Sequence, residues 1–182
     1  MYGLVNRAIA DLLIQQYGED AWSAIKDRAG VDIDVFIRME AYPDEISYRL
    51  IEAASEHLQV PQQQLLEAFG RYWTRYTGDE GYGELMEAAG EDLWEFLHNL
   101  DELHSRVGLI YPNLTPPSFS CSDQQPGSLV LHYYSKRQGL APMVVGLVEG
   151  LALRFQEKVT IERQLHSERG DDHDSFLIAR VR

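Results

Sequence analysis

Apolar residues recur at intervals of three and four positions from the start of the chain to about residue 107. The intervals are clear at Leu4, Ala8 and Leu12, and again at Leu58, Leu65, Leu66, Phe69 and Trp73. Such intervals place the apolar side chains on one face of an α-helix. The first half of the chain is therefore predicted to be helical.

Turn-forming residues divide this helical half into segments. They stand at Gly18, Ala29-Gly30, Tyr42-Pro43, Val60-Pro61 and between Gly78 and Gly83. Glycine and proline mark helix ends, and Asp44, directly after Pro43, is a suitable N-cap residue. Roughly six helices, some of them short, are predicted.

The pattern changes after residue 110. Tyr111 to Gly127 contains four of the seven prolines, which predicts a boundary between two subdomains. Beyond it, Ser128 to Ser135 and Phe176 to Val181 have the composition of strands. Apolar and polar residues alternate from Val159 to His166, which predicts another strand, and Ser167 to Asp174 is predicted to be the turn that follows it.

One helix is predicted between the strand that ends at Ser135 and the strand that begins at Val159. Pro142 suits its first turn, and apolar residues follow at intervals of four, at Met143, Leu147, Leu151 and Phe155. The fold class is thus α+β, with a helical N-terminal subdomain (residues 1–110) packed on an antiparallel sheet with one crossing helix (residues 111–182). Together they are expected to form one domain over residues 1–182.

Composition narrows the classes of partner. The formal net charge of −13 and a pI of about 4.8 argue against nucleic acid and anionic membrane surfaces, which both attract clustered Lys and Arg. No apolar run approaches the roughly 20 residues that cross a bilayer. The single cysteine, Cys121, forms no internal disulfide and suggests no redox role, so a reducing cytoplasmic location is expected. No heptad pattern persists, which favours a monomer.

One histidine lies at the end of an apolar helical stripe. Glu91 to Val107 is predicted to be a helix, and four positions beyond Leu100 in its stripe stands His104. A histidine in this position is a buried core residue or a metal ligand. Ligand spacing typical of zinc is missing around it. A single imidazole in apolar surroundings is typical of the proximal ligand of a haem.

A second cluster follows the strand that begins at Ser128. Alternation along a strand places Tyr133, Ser135 and Arg137 on one face. A phenol, a hydroxyl and a guanidinium in a row suit an anion with two carboxylates, because arginine binds one carboxylate with two hydrogen bonds. The alternative is a polar strand end that faces solvent.

A single histidine followed about 30 residues later by Tyr-x-Ser-x-Arg resembles the H-NOX family, the haem-nitric oxide/oxygen binding domains similar to the sensor half of soluble guanylate cyclase. Met1 to Asn6, His104 to Arg106, Tyr111-Pro112 and Pro117 to Phe119 also resemble that family. The resemblance covers essentially the whole chain. It implies haem b (iron protoporphyrin IX) between helices and sheet, with His104 as axial ligand.

The resemblance also assigns the other haem contacts. It implies that Tyr133, Ser135 and Arg137 hold the two propionates and that Pro117 presses on the porphyrin. Family members that bind oxygen stably have a distal tyrosine on the helix after Arg137, but residues 138–147 contain none. The chain therefore resembles the bacterial, NO-selective type.

The distal pocket is expected to contain Met143, with Val5, Ile9 and Trp73 as other wall residues. For Met143 and Trp73, plain core packing is the alternative. The indole N–H of Trp73 is a donor, which leaves stable oxygen binding open.

The expected function is a sensor of NO, and of CO as a second ligand, and not an enzyme. In the family that the chain resembles, NO breaks the bond between iron and histidine and the helices shift against the sheet. The partner is then a separate histidine kinase or diguanylate cyclase, or a fused module. The alternatives are an oxygen sensor, a haem-free interaction module, or a haem enzyme, for which residues 138–147 offer only Gln138.

A group of acidic residues and a histidine near the C-terminus contains side chains of the types that bind metals. Asp171, Asp172, His173 and Asp174 fall in the predicted turn, so a solvated loop is the expectation.

Overall fold

The computed structural model describes residues 1–111 and 114–181. Pro112 and Asn113, which belong to the proline-rich stretch discussed above, lie outside the described residues, as does Arg182.

Helices account for most of the chain before residue 111, as predicted. They are α1 (Gly3–Tyr17), α2 (Glu19–Ala29), α3 (Asp44–Leu58), α4 (Gln62–Thr77), α5 (Gly83–Glu87), α6 (Leu93–His98) and α7 (Leu100–Ile110). A π-helical turn, Gly78–Tyr82, connects α4 to α5. The predicted breaks at Gly18 and Gly30 are confirmed, and Gly30 ends α2 in the left-handed conformation that glycine adopts without strain.

The single helix predicted from Glu91 to Val107 is wrong, because α6 and α7 are separate helices. They meet at Asn99, whose φ of −93° and ψ of 4° are not helical. Its side-chain amide donates a hydrogen bond to the carbonyl oxygen of Ala89 (2.9 Å). Asparagine breaks helices in this way because its amide competes for backbone partners. His104 therefore lies on a short helix of its own.

Asp44 is the first residue of α3, but its side chain does not cap the helix. It accepts hydrogen bonds from the Met1 ammonium group and from Arg137 instead. The predicted N-cap role is therefore wrong, because two cations compete for the carboxylate more strongly than backbone N–H groups do.

Four strands form one antiparallel sheet. They are β1 (Ser118–Gln125), β2 (Ser128–Tyr134), β3 (Val159–Leu165) and β4 (Asp174–Arg180), in the spatial order β1-β2-β4-β3. Between β2 and β3 the chain forms α8 (Ala141–Arg154). The predicted α+β class, with one helix among antiparallel strands, is confirmed.

Strand β1 was not predicted, because its stretch is rich in proline and serine. Only Phe119 is buried in it, and the rest of its side chains are polar or exposed. It is an edge strand, so one side of its backbone pairs with β2 while little of its surface enters the core.

Two apolar clusters fill the interior. One cluster lies among helices α1, α2, α3 and α4. The other lies between helices α6 and α8 and the inner face of the sheet, where Leu131 pairs with Phe176. Helices α4 and α8 approach very closely between the clusters. A Cβ on Gly146 would lie 2.0 Å from the carbonyl oxygen of Glu67, so only glycine fits there.

The turn predicted to be solvated contains buried charge. Asp174 is 5% exposed and accepts hydrogen bonds from Arg163 and from both the backbone and hydroxyl of Ser167. His173 is 9% exposed and contacts His132. The expectation of a solvated loop is therefore wrong for these two residues, because partners distant in sequence compensate their burial.

Within the described ranges, no helix is both long enough and apolar enough to cross a membrane.

Candidate functional site

A cavity of about 660 Å³ lies between the N-terminal helices and the sheet subdomain. Its walls are mainly apolar, and its volume is typical of sites for small organic molecules. All nine candidate residues line this one cavity: Val5, Ile9, Trp73, His104, Pro117, Tyr133, Ser135, Arg137 and Met143.

His104 reaches the cavity from α7, where it is partly exposed. Its Nδ1 is buried and has no hydrogen-bond partner among the described residues. Burial lowers the pKa of His104 below its ordinary value of 6.5, although the nearby Asp101 carboxylate acts in the opposite direction. The imidazole is therefore held in its neutral form, which has the lone pair that binds a metal.

Phe119 and Asp101 connect His104 to the sheet. The Phe119 ring stacks on the imidazole, with 5.5 Å between ring centroids and 19° between the planes. The backbone N–H of Phe119 donates to Asp101 Oδ1 (2.9 Å), which lies one turn before His104 on α7. Strand β1 and helix α7 are thus joined at the histidine itself and at Asp101, one turn before it.

Polar groups gather at one part of the cavity wall. Tyr133 is 5% exposed, and burial raises the pKa of its phenol, so the hydroxyl remains a donor. Strand β2 ends at Tyr134, so Ser135 and Arg137 lie beyond the strand and not on it. All three nevertheless line the same cavity, as the alternation along the strand had suggested.

Arg137 is held by partners outside the strand. Its Nε donates to Asp44 Oδ2 (2.7 Å), its Nη1 to the carbonyl oxygen of Thr115 (2.6 Å), and its Nη2 to Asp44 Oδ1 (3.4 Å). Burial raises the pKa of Asp44, but its hydrogen bonds from the Met1 ammonium and Arg137 outweigh this effect and lower it overall. Three contacts do not exhaust the five N–H donors of a guanidinium.

The remaining helices supply a wall with few free donors. Thr77 Oγ1 donates to the carbonyl oxygen of Trp73 (2.8 Å), and Thr74 Oγ1 donates to that of Arg71 (2.9 Å). Both hydroxyls are therefore engaged by their own helix, α4. Met143 and Leu147 of α8 complete this part of the lining with apolar groups.

Several lining residues were not among the candidates. They include Thr74, Thr77, Tyr82, Tyr111 and Phe119. The hydroxyls of Tyr82 and Tyr111 share a short hydrogen bond. Thr74 and Thr77 carried a signal, since they continue the helical face that carries Trp73, and Tyr111 and Phe119 belong to the stretches that resemble the H-NOX family.

The arrangement suits a large apolar group with two acidic tails. A neutral imidazole, an apolar cavity and three donors at a polar patch are the features that haem requires of a protein. The residues present therefore fit this cofactor. His104 would hold the iron, and Tyr133, Ser135 and Arg137 would hold the propionates.

Comparison with known proteins agrees with this fit. The family model described as Haem-NO-binding matches residues 2–163. The chain is 34% identical over 191 residues to "Soluble guanylate cyclase gcy-32" of Caenorhabditis elegans, an alignment that covers 98% of this chain and 28% of the relative. It is 38% identical over 91 residues to "Guanylate cyclase soluble subunit beta-2" of Rattus norvegicus, covering 50% of this chain and 13% of the relative.

Solved structures share the fold. An H-NOX protein from S. oneidensis in the Fe(II)NO ligation state superposes with a TM-score of 0.91 at 20% identity, covering 100% of both chains. An unliganded Fe(II) H-NOX protein from K. algicida gives 0.88 at 22% identity, covering 100% of this chain and 97% of that one. The chain spans just over a quarter of the length of the cyclases it matches most extensively, 28% of gcy-32.

Proposed function

Because the chain belongs to the Haem-NO-binding, or H-NOX, family, we propose that it is a haem b sensor of NO that uses His104 as the axial ligand. It binds CO at the same position. Residues 1–182 act as one sensor domain, and this domain performs no catalysis of its own.

One observation carries the proposal. The cavity brings His104 together with Tyr133, Ser135 and Arg137, although about 30 residues separate them in sequence. Apolar packing alone gives no reason for a partly buried imidazole, a buried phenol and a guanidinium to line one mainly apolar cavity, because polar groups destabilise a protein interior. A haem accounts for the combination, since its iron would take His104 and its propionates would accept hydrogen bonds from Tyr133 and Arg137.

When bound, a haem would supply an iron atom that His104 would hold and that would bind the gas. A metal-bound histidine usually donates its second N–H to a carboxylate or carbonyl, which makes the imidazole a stronger ligand. His104 Nδ1 has no such partner among the described residues. His104 would therefore be a comparatively weak ligand of the iron, which suits a sensor that responds to NO.

A displacement of the His104 side chain would be transmitted directly to helix α7 and strand β1. Helix α7 is joined to β1 by the hydrogen bond between Asp101 and the backbone of Phe119, and the Phe119 ring stacks on the imidazole. A movement of the imidazole therefore acts on α7 and on the edge of the sheet together. Such a two-state shift of packed elements is how a local ligand change alters a distant surface.

The wall formed by α1, α4 and α8 favours NO over oxygen. Bound oxygen carries negative charge and is stabilised by a hydrogen-bond donor. The Thr74 and Thr77 hydroxyls are engaged by their own helix, and Met143 carries no donor. The indole N–H of Trp73 is a donor on the same wall, and the exposure to air described below tests whether it stabilises oxygen. NO and CO require no such donor, so both bind in this pocket.

The signal passes to a partner or to a fused module. A separate histidine kinase or diguanylate cyclase is one recipient. An output module in the same chain is the other, since 72% of the gcy-32 length lies outside the part that this chain covers.

The test is the visible absorption spectrum of the purified protein, reduced under argon and then exposed to NO and, separately, to air. A haem spectrum that changes with NO and gives no stable oxygen complex in air is the expected result. His104→Gly should lose the spectrum of the histidine-ligated form and recover it with added imidazole. A matched control is His57→Gly, since His57 is exposed on α3 and lies outside the cavity.

Other outcomes favour the alternatives. A stable oxygen complex in air would identify an oxygen sensor and contradict the argument from Thr74 and Thr77. A protein that takes up no haem after reconstitution would be a haem-free interaction module, and the proposal would be wrong.

A further inference from the structure

A second cleft, separate from the haem cavity, lies between α1 and the end of α4. Its volume is about 400 Å³, within the range of ligand sites. Polar and aromatic side chains line it: Asp11, Gln15, Tyr72, Arg75, Tyr76, Asp79 and Glu80. The family assignment gives this cleft no role.

The cleft holds more negative than positive charge. Its lining contains three carboxylates and one guanidinium, that of Arg75, which lies over the Tyr72 ring at 5.4 Å from the centroid. Glu80 pairs with Arg38 (2.6 Å). Within the described residues, Asp11 and Asp79 form no ion pair.

Asp11 is partly buried, and neighbouring charges only partly offset the effect of its burial. Burial raises the pKa of its carboxyl group, and Glu80 adds to this effect, while Arg7 acts against it without forming an ion pair. A cation that binds beside such a carboxylate stabilises its charged form, because the electrostatic attraction between opposite charges is stronger where water is partly excluded.

Tyr76 provides an independent observation. The residue is 5% exposed, and its hydroxyl is buried without a hydrogen-bond partner among the described residues. Burial, Glu80 and Asp11 raise the pKa of Tyr76 to about 12, and both carboxylates line the same cleft as Tyr76. A buried hydroxyl without a partner destabilises the fold, and in a native protein it calls for an explanation.

We propose that this cleft binds a small aliphatic amine, whose ammonium group donates hydrogen bonds to the Asp11 carboxylate and the Tyr76 hydroxyl. An ammonium group has three N–H donors and no acceptor, which matches a set of acceptors with excess negative charge. Asp79 lies in the same lining and accepts a second ammonium when the ligand is a diamine.

The position of the cleft links it to the gas-binding cavity. Tyr76 stacks on Trp73 with 6.1 Å between centroids and 25° between planes, and Trp73 lines the haem cavity. The π-helical turn that contains Asp79 and Glu80 ends at Tyr82, which also lines it. The amine site is therefore separated from the proposed gas-binding cavity by the stacked rings of Tyr76 and Trp73.

The test is isothermal titration calorimetry of the purified protein with 1,4-diaminobutane, using 1,4-butanediol as the uncharged analogue. Binding of the diamine and none of the diol is expected. Asp11→Asn should weaken binding roughly tenfold or more, the range for a hydrogen bond to a charged group. Tyr76→Phe should weaken it by a similar factor without lowering the melting temperature, because the lost hydroxyl has no partner in the free protein.

Asp27→Asn is the matched control, since Asp27 is exposed on α2 and lies outside the cleft. It should leave diamine binding unchanged. The proposal is overturned if the diamine does not bind, if the diol binds equally well, or if neither Asp11→Asn nor Tyr76→Phe weakens binding. None of these readouts requires haem or gas, so failure of the gas-sensor proposal would leave this test intact.

Discussion

The Phe119 ring lies nearly parallel to the imidazole of His104, 5.5 Å away between centroids and 19° apart in plane. The two residues belong to different elements of the fold, since His104 is on helix α7 and Phe119 is on strand β1. Phe119 also contacts Tyr133 at 5.3 Å between centroids. One aromatic ring therefore connects the proposed axial ligand to the proposed propionate-binding group.

The first prediction concerns this stacking contact. Phe119→Leu keeps the position apolar but removes the aromatic face, so His104 loses a contact that fixes its orientation. Aromatic contacts of this kind contribute about 0.5–1.5 kcal/mol. Haem loss to a competing apoprotein should become roughly three to ten times faster.

The control for that prediction is Phe155→Leu. Phe155 lies just after α8, contacts Phe96 at 5.8 Å and is not part of the cavity lining. It should destabilise the fold without changing the rate of haem loss. Equal rates of haem loss from both variants would show that Phe119 does not position His104.

The second prediction concerns a chain of hydrogen bonds on the outer face of the sheet. Ser122 Oγ is 2.7 Å from His132 Nε2, and His132 Nδ1 is 2.8 Å from His173 Nε2. His173 Nδ1 is 2.6 Å from Asp172 Oδ1. Burial lowers the pKa of His132 below 6.5, and His173 lowers it further, while Asp123 and Asp172 act in the opposite direction.

The direction of the pH dependence follows from this lowered pKa. Below about 6.5 the unfolded chain binds a proton on His132 that the folded protein does not yet bind, so the free energy of unfolding falls as the pH decreases. Urea unfolding between pH 7.5 and 5 should show this loss. His132→Gln should reduce the slope of the free energy of unfolding against pH. His57→Gln, at an exposed position, should leave this slope unchanged. An unchanged slope in His132→Gln would contradict the prediction.

Sequence patterns predicted the elements whose side chains alternate or repeat. Val159 to Leu165 is a strand in the structure, and every second residue of it packs inward, as predicted. The spacing of Met143, Leu147 and Leu151 correctly predicted helix α8. Strand β1 gave no such signal, because an edge strand is held by backbone hydrogen bonds to β2 that polar residues form equally well.

The cavity lining was predictable for the residues with distinctive chemistry and not for the rest. His104 and Arg137 were found by residue type and spacing. The ion pair of Arg137 with Asp44 joins positions 93 residues apart, and nothing local in the sequence indicates it. The burial of Asp174 was missed for the same reason, since its partner Arg163 is on another strand.

The third prediction concerns that buried pair. Asp174 is 5% exposed, and burial raises the pKa of its carboxyl, but hydrogen bonds from Arg163 and Ser167 outweigh this and lower it overall. Asp174→Asn removes the buried partner of the Arg163 guanidinium, which keeps its ion pair with the half-exposed Glu168 carboxylate. Loss of one member of a buried pair that leaves the other charge uncompensated destabilises a protein by about 3–5 kcal/mol. Because Glu168 still pairs with Arg163, urea unfolding at pH 7 should show a loss near the lower end of this range.

The matched exposed pair is Arg28 with Glu56, whose side chains are 54% and 51% exposed. Glu56→Gln should change the free energy of unfolding by less than about 1 kcal/mol, because water screens an exposed pair. If Asp174→Asn had an effect as small as Glu56→Gln, the Asp174 pair would contribute little to stability.

The last prediction concerns gas selectivity. Met143 is the third residue of α8, directly after Pro142, and it lines the cavity without offering a donor. Met143→Tyr introduces a hydroxyl at a wall where Thr74 and Thr77 are already engaged by backbone carbonyls. A hydrogen bond to a charged acceptor contributes about 1.5–3 kcal/mol, so oxygen should dissociate roughly ten to a hundred times more slowly. Stopped-flow spectroscopy of the reduced protein measures this rate, and Met143→Phe is the control of similar size without the hydroxyl. If Met143→Phe retained oxygen as long as Met143→Tyr, cavity volume and not hydrogen bonding would set the selectivity.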